Sequence, residues 1–276
     1  MIDGIDLETL LWLAGMLVFG GAVTGILAGL FGVGGGAITV PVLFEVFGVL
    51  GIEDEVRMPL AVGTSLAIII PTSFRSFRGH YRKGAVDTGI LRKWAVPIIL
   101  GVLLGSVIAR YATPAVFQGA FVIVGGITVT KLLFGRESWR LAEQLPSGNI
   151  LRLYGMVVGL LSALMGIGGG ALSTLVLTLH GRPIHQAVAT SSGVGMLISI
   201  PGALGYVAAG WGRAGLPPDA LGFVSLLGCA LVIPTAFLTT QIGVNLAHSM
   251  SRRKLEILFG LFILTVCVRF LLAMVM

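Results

Sequence analysis

Six stretches of this chain, Leu10–Phe31, Trp94–Ala112, Ala115–Phe134, Ala187–Ala209, Ala220–Thr240 and Leu255–Val275, are almost wholly apolar. Each approaches or exceeds the about 20 residues that a helix needs to cross a bilayer. The stretches are continuous rather than alternating with period two, so they fit helices and not the strands of a membrane barrel. Composition leads the same way: 11% of the residues are charged, against about 25% in soluble domains. The fold class is therefore an all-α polytopic membrane protein. The formal charge of +6 does not call for a nucleic-acid partner, because the basic residues stand in short segments between apolar stretches, where they set topology. Cys229 and Cys267 lie inside apolar runs without the spacing of a metal site or disulfide framework, so no metal or cofactor is expected. Asp3, Asp6 and Glu8 precede the first apolar stretch and no small-residue cleavage site follows it, so it is not read as a removed leader.

The chain also repeats itself. Residues 21–37 read GAVTGILAGLFGVGGGA and residues 155–171 read GMVVGLLSALMGIGGGA, with ten of seventeen positions identical. Ala61-Val62-Gly63-Thr64-Ser65 then matches Ala187-Val188-Ala189-Thr190-Ser191, and Ile70-Pro71 matches Ile200-Pro201 after a four-residue insertion. Chance could supply one GGG match, but not three blocks in order. Two repeats are expected within a single membrane domain. The first is 1–140, with a hairpin at 10–50 and spans near 59–74, 94–112 and 115–134. The second is 141–276, with a hairpin at 151–179 and spans near 187–209, 220–240 and 255–275. Interrupted apolar segments at matching places in two repeats mark transporter binding sites.

Each repeat opens with two apolar legs around its GGG, and the second legs, Ala37–Leu50 and Ala171–Leu179, have 14 and 9 residues. At 1.5 Å per residue these give about 21 and 14 Å of helix, short of a comfortable span. The legs form either one broken crossing or a re-entrant hairpin, and loop charge discriminates. Arg75, Arg78, Arg82, Lys83, Arg92 and Lys93 form one basic segment; Lys131, Arg136, Arg140 and Arg152 form a second; Arg252, Arg253 and Lys254 form a third. A single crossing puts the first and third on opposite sides, whereas hairpins bring all three inside and leave the N-terminus and Glu53, Asp54 and Glu55 outside. A hairpin plus three spans returns the chain to the opposite side, so the expected fold is two inverted repeats, each a glycine-tipped helix hairpin plus three transmembrane helices. Whether the legs count as crossings, giving eight or ten helices, stays open.

A turn inside a membrane must satisfy its own polar groups or line a wet cavity. Gly34, Gly35 and Gly36, and Gly168, Gly169 and Gly170, permit left-handed backbone and close approach. Helices starting near Ala37 and Ala171 would aim their N-termini at the protein centre, where unpaired amides attract an anion without a buried Lys or Arg. Nearby hydroxyls that could complete such a substrate site are Thr39, Thr64 and Ser65, and Ser173, Thr174, Thr190, Ser191 and Ser192. Each competes with bonding to its own helix backbone. Gly21, Gly25 and Gly29, and Gly155 with Gly159, have the spacing of close helix packing instead. Glu45, in the short first-half leg, is the candidate for proton coupling, with an interfacial carboxylate as the bland reading. Arg110 and Arg269 are expected to reach the interface, and His80, His180, His185 and His248 are expected in solvated loops.

At these motifs the sequence resembles the sulfite exporter TauE/SafE family of membrane transporters. The resemblance rests on Gly32-Val33-Gly34-Gly35-Gly36 followed by Pro41, on Gly166-Ile167-Gly168-Gly169-Gly170, on the Ala-Val-x-Thr-Ser blocks, and on Arg253-Lys254-Leu255 leading into Phe259. It covers essentially the whole chain, although Leu175 stands where Pro41 would align. It implies export of a small sulfur-containing anion, such as sulfite, sulfoacetate or another organosulfonate, across the cell inner membrane by a secondary transporter with proton coupling. The expected partners are this small anionic substrate and the lipid bilayer, and a homo-oligomer stays open. The alternatives are an anion channel with the same midplane site, a transporter of another small carboxylate or oxyanion, and an intramembrane enzyme. No HExxH, GxSxG or intramembrane Asp pair is present, so no catalytic residue is expected.

Overall fold

The computed structural model describes residues 7–32, 34–135, 141–142 and 144–275. Asp3, Asp6, Val33, Arg136 and Arg140, used above, lie outside the described residues. Among the described residues there are ten helices: α1 (Leu7–Phe31), α2 (Gly36–Val49), α3 (Asp54–Arg82), α4 (Thr88–Ala109), α5 (Pro114–Phe134), α6 (Asn149–Met165), α7 (Gly170–Leu179), α8 (Ile184–Gly210), α9 (Leu226–Ser249) and α10 (Arg252–Val275). Seven are long and apolar enough to cross a membrane; α2, α6 and α7 are shorter. Phe19, Ile123 and Leu238 are 72%, 66% and 65% exposed, as large apolar side chains are when lipid, not water, surrounds a helix.

The helices outrun the apolar stretches that announce them. The span expected near 59–74 belongs to a helix of 29 residues, with Asp54 and Glu55 in its first turn and His80 and Arg82 in its last. The acidic first turn and Arg82 in the last turn match the helix dipole, so these charges continue α3 instead of ending it. The basic segment 75–93 is consequently helical except for the link 83–87. The stretch expected to start at Ala220 becomes helical only at Leu226. Asp219 holds the intervening residues, accepting from Ser225 Oγ at 2.7 Å and from Leu227 N at 3.1 Å, while Ser225 Oγ caps Gly228 N at 3.0 Å.

Both glycine triplets reverse the chain. Gly32, Gly34 and Gly35 have φ of 65°, 70° and 82°, and Gly166, Gly168 and Gly169 have φ of 66°, 59° and 76°, a region that other residues adopt only with strain. Beyond the first turn, Thr39 Oγ1 returns to 3.1 Å from Thr24 Oγ1, and Val42 lies against Gly20, so α2 runs back along α1. Beyond the second, the His180 ring lies 5.4 Å from that of Tyr154, so α7 runs back along α6. The legs form hairpins, not broken crossings.

The hairpins pack on helices from the far part of the chain. Cβ atoms added at Gly21, Gly25 and Gly29 would collide with the backbone around Val232, Ala236 and Thr240, so α1 and α9 lie parallel at glycine-only separation. The equivalent pair, α6 and α4, meets through Gly159 on Ile98 and Gly101 on Met156. Helix α3 runs antiparallel to α8, with Gly63 beside Tyr206, Gly202 beside Leu66 and Gly195 beside Ser73. Helix α5 runs antiparallel to α10, with Gly125 against Cys267 and the Phe121 and Phe270 rings 4.8 Å apart. Exchanging α1–α5 for α6–α10 maps this set of pairings onto itself.

Candidate substrate site at the paired glycine turns

The two turns meet inside the protein. A Cβ on Gly36 would lie 2.8 Å from Ile167 Cα and 2.9 Å from the Gly166 carbonyl carbon. Gly34 packs on Ile69 and Gly166 on Val62, both in the central turns of α3. Ser65 Oγ donates to Gly166 O at 2.9 Å, and Thr72 Oγ1 lies 3.3 Å from Gly34 O. Both turns are thereby pinned to α3.

Helices α2 and α7 start here and run away from each other, one back along α1 and the other along α6. Their N-caps, Gly35 and Gly169, offer no side-chain cap. The first bonds back to these caps come from Ile38 N and Thr39 N in α2 and from Ser173 N in α7, so the amides of Gly36, Ala37, Gly170 and Ala171 lie ahead of the helical ladder. Two buried positive helix ends are brought together, with Ala37 and Ala171 no more than 1% exposed.

The expected hydroxyls divide by what they bond. Ser173 Oγ lies 2.5 Å from Gly169 O and 2.9 Å from Ser191 Oγ, Thr174 Oγ1 is 2.8 Å from Ser191 Oγ, and Ser191 Oγ donates to Ala187 O at 2.7 Å, so these three hydroxyls cluster beside the start of α7. Thr39 Oγ1 donates to Gly35 O at 3.1 Å, next to the start of α2. Thr64 and Thr190 serve elsewhere. Thr64 Oγ1 accepts from Ser225 N at 2.9 Å and Thr190 Oγ1 from Asp87 N at 3.0 Å. Ser225 and Asp87 are the N-caps of α9 and α4, so the Thr of each Thr-Ser pair ties down the start of a helix from the other part of the chain. Ser192 bonds Ala189 O in its own helix at 2.6 Å.

Glu45 is half exposed at the periphery and pairs with Arg269 of α10. Arg110, instead of reaching only to an interface, donates to Ala209 O at 2.6 Å.

Two features escaped sequence reasoning. Ser162 of α6 is fully buried and, among the described residues, its Oγ has no hydrogen-bond partner. It stands 3.2 Å from where a Cβ of Gly169 would be, beside the open end of α7. A serine within Leu-Ser-Ala-Leu gives no sign in sequence that its hydroxyl is left over. The histidines are the second correction. None lies in a solvated loop: His80, His185 and His248 are within α3, α8 and α9, His180 caps α7, and His80 is 1% exposed.

A family profile described as "Sulfite exporter TauE/SafE" matches residues 17–270. A probable membrane transporter protein of Haemophilus influenzae is 28% identical over 90% of this chain and 94% of its own length. Another, of Methanocaldococcus jannaschii, is 29% identical over 94% of this chain and 96% of its own length. A third, of Bacillus subtilis, is 24% identical over 91% and 94%. No solved structure matches.

Proposed function

The chain belongs to the sulfite exporter TauE/SafE family of membrane transporters, and from that premise we propose that it is a secondary transporter exporting a small sulfur-containing anion. Sulfite, sulfoacetate and related organosulfonates are the candidates. The observation that carries the anion is the meeting of two uncapped, buried helix N-termini at the glycine turns, which offers amide donors and positive potential without a buried cation. The proposed site comprises Gly34, Gly35, Gly36 and Ala37 with Thr39 and Ser65 on one side, and Gly168, Gly169, Gly170 and Ala171 with Ser173 and Ser191 on the other. Ser162, whose Oγ has no partner among the described residues, joins it as a donor.

The antiparallel course of α3 against α8 and of α5 against α10 supports two inverted repeats, 1–140 and 141–276, in one domain. The basic ends of α3 and α10 then lie on the cytoplasmic side of the inner membrane. Transport is by alternating access, in which the turns part toward one face at a time. Their direct contact at Gly36 favours such a gated carrier over a permanently open anion channel.

The test is binding of sulfite, sulfoacetate, taurine, sulfate and acetate to the purified protein, followed by counterflow in proteoliposomes. Saturable binding of the sulfur oxyanions with accelerated exchange is expected; flux linear in concentration, without exchange, contradicts the carrier. For sidedness, a cysteine at exposed Lys83, in a background lacking Cys229 and Cys267, resists an impermeant reagent applied outside, and labelling there overturns the topology.

A further inference from the structure

The long helix after each hairpin fastens onto the hairpin's first leg at an equivalent carbonyl, and the two fastenings differ chemically. In the first half, His80 Nε2 of α3 lies 3.0 Å from Gly29 O. In the second, Tyr206 Oη of α8 donates to Ala163 O at 2.9 Å. Gly29 and Ala163 occupy the same position of the seventeen-residue repeat. One latch is therefore an imidazole, which can take up a second ring proton, and the other is a phenol, which cannot.

His80 has a second partner that Tyr206 lacks. Its Nδ1 is 2.9 Å from Nε2 of His248, near the end of α9. A carbonyl can only accept, so His80 Nε2 carries hydrogen, and in the neutral pair Nδ1 accepts from the His248 Nε2–H. His248 is partly exposed while His80 is buried. A proton arriving at His248 Nδ1 allows its Nε2 proton to move to His80 Nδ1; the bond between the rings persists with its direction reversed. The charge thereby advances one ring into the protein without breaking a contact.

The groups facing His80 leave that charge unbalanced. They are His248 from α9, His185 from α8 and Lys83 just past the end of α3, while α1 presents the Gly29 carbonyl. All the titratable ones are neutral or cationic. Towards the glycine turns, α3 continues the polar face with Ser76, which donates to Ala28 O at 3.2 Å, and Thr72, which reaches Gly34 O. The corresponding face of α8, stepping back from Tyr206 by four residues at a time, is Gly202 and Ile198.

We propose that His80 and His248 form a proton-binding site linked to the anion at the glycine turns, the imidazolium and the anion each favouring the other. This rests on the anion-transporter reading and adds its coupling ion, its location and its sidedness: the proton acts at the basic, His-bearing end only. Because the anion favours the protonated pair, reciprocity requires anion affinity to rise as pH falls.

Two measurements separate failure of this site from failure of the transporter reading. The first is binding of sulfoacetate, whose charge is constant near neutral pH, to purified protein in weak buffer across about pH 5–9. Wild type takes up protons on binding and loses affinity as pH rises. His80→Gln, which keeps a donor for Gly29 O, binds without proton uptake and without pH dependence; His248→Asn behaves alike, and Tyr206→Phe keeps the wild-type linkage. Retention of wild-type proton uptake by His80→Gln and His248→Asn overturns the proposal. The second is NMR of labelled histidine without any anion, readily assigned because the chain has 4 His. Coupled titration of His80 and His248, abolished by His248→Asn, supports the pair even if no anion binds and the transporter reading falls. Independent titration of the two rings overturns it.

Discussion

Gly36→Ala is the sharpest perturbation of the turn contact, because Gly36 needs no unusual backbone. It is the first residue of α2 and is absent from the positive-φ glycines, so an alanine there brings no conformational strain, only volume. The added Cβ would stand 2.8 Å from Ile167 Cα and 2.9 Å from the Gly166 carbonyl carbon, and closer still to the carbonyl oxygen. Ordinary contact begins at 3.4 Å, so relieving Ile167 Cα alone takes 0.6 Å (3.4 − 2.8), and the nearer Gly166 oxygen makes the turns part by more than that. Both neighbours are backbone and cannot rotate away. Overpacking of this kind costs ~1–3 kcal/mol. If the closed turns hold the anion, the same energy lowers affinity by roughly 5- to 150-fold. Gly101→Ala is the matched control: its Cβ would lie 2.9 Å from Leu160 N at the α4–α6 contact, with a similar steric cost away from the turns. Thermal melts in detergent and anion binding on both variants give the answer. Both should melt lower than wild type, and only Gly36→Ala should bind more weakly than its residual folded fraction explains. Equal loss of binding in both variants, or wild-type binding by Gly36→Ala, refutes the reasoning.

Ser162→Ala removes a buried hydroxyl that has no hydrogen-bond partner among the described residues, so its melting temperature should hold or rise, while anion affinity falls if Ser162 serves the site; unchanged affinity removes it from the site. Thr64→Val and Thr190→Val each leave a helix-start amide without its acceptor, and each should cost ~1–3 kcal/mol in denaturation measurements while anion selectivity stays as in wild type. Glu45→Gln breaks a half-exposed ion pair with Arg269 worth less than about 1 kcal/mol. It should leave the pH dependence of transport intact, and loss of that dependence would return Glu45 to the coupling role.

Much of the architecture was legible because membrane folding writes coarse signals. Uninterrupted apolar length marked the spans, and Gly34-Gly35-Gly36 with Gly168-Gly169-Gly170 marked both reversals, since only glycine takes the left-handed conformations found there. Gly21, Gly25 and Gly29 announced a close helix contact but not its partner, because spacing carries no information about which helix arrives. Partnership also decided what sequence missed. Thr64 and Thr190 look like site hydroxyls until the Ser225 and Asp87 amides arrive from distant segments. His80 follows Arg75 and Arg78 in a segment that reads as a basic loop, and nothing local shows that α3 persists and turns that ring toward Gly29.

The glycine face of α1 has a consequence for how the protein is made. The first hairpin leaves the ribosome early, yet the surface against which its glycines fit begins only at Leu226. At a translation rate of about 5–20 residues per second, the hairpin waits roughly 10–40 s in the bilayer with that face covered by lipid. The α4 contact of α6 needs no such delay, because α4 is already in place. Assembly is thus lopsided in time although its contacts are balanced in space, and damage to α9 would strand the first half after it had been synthesised without fault.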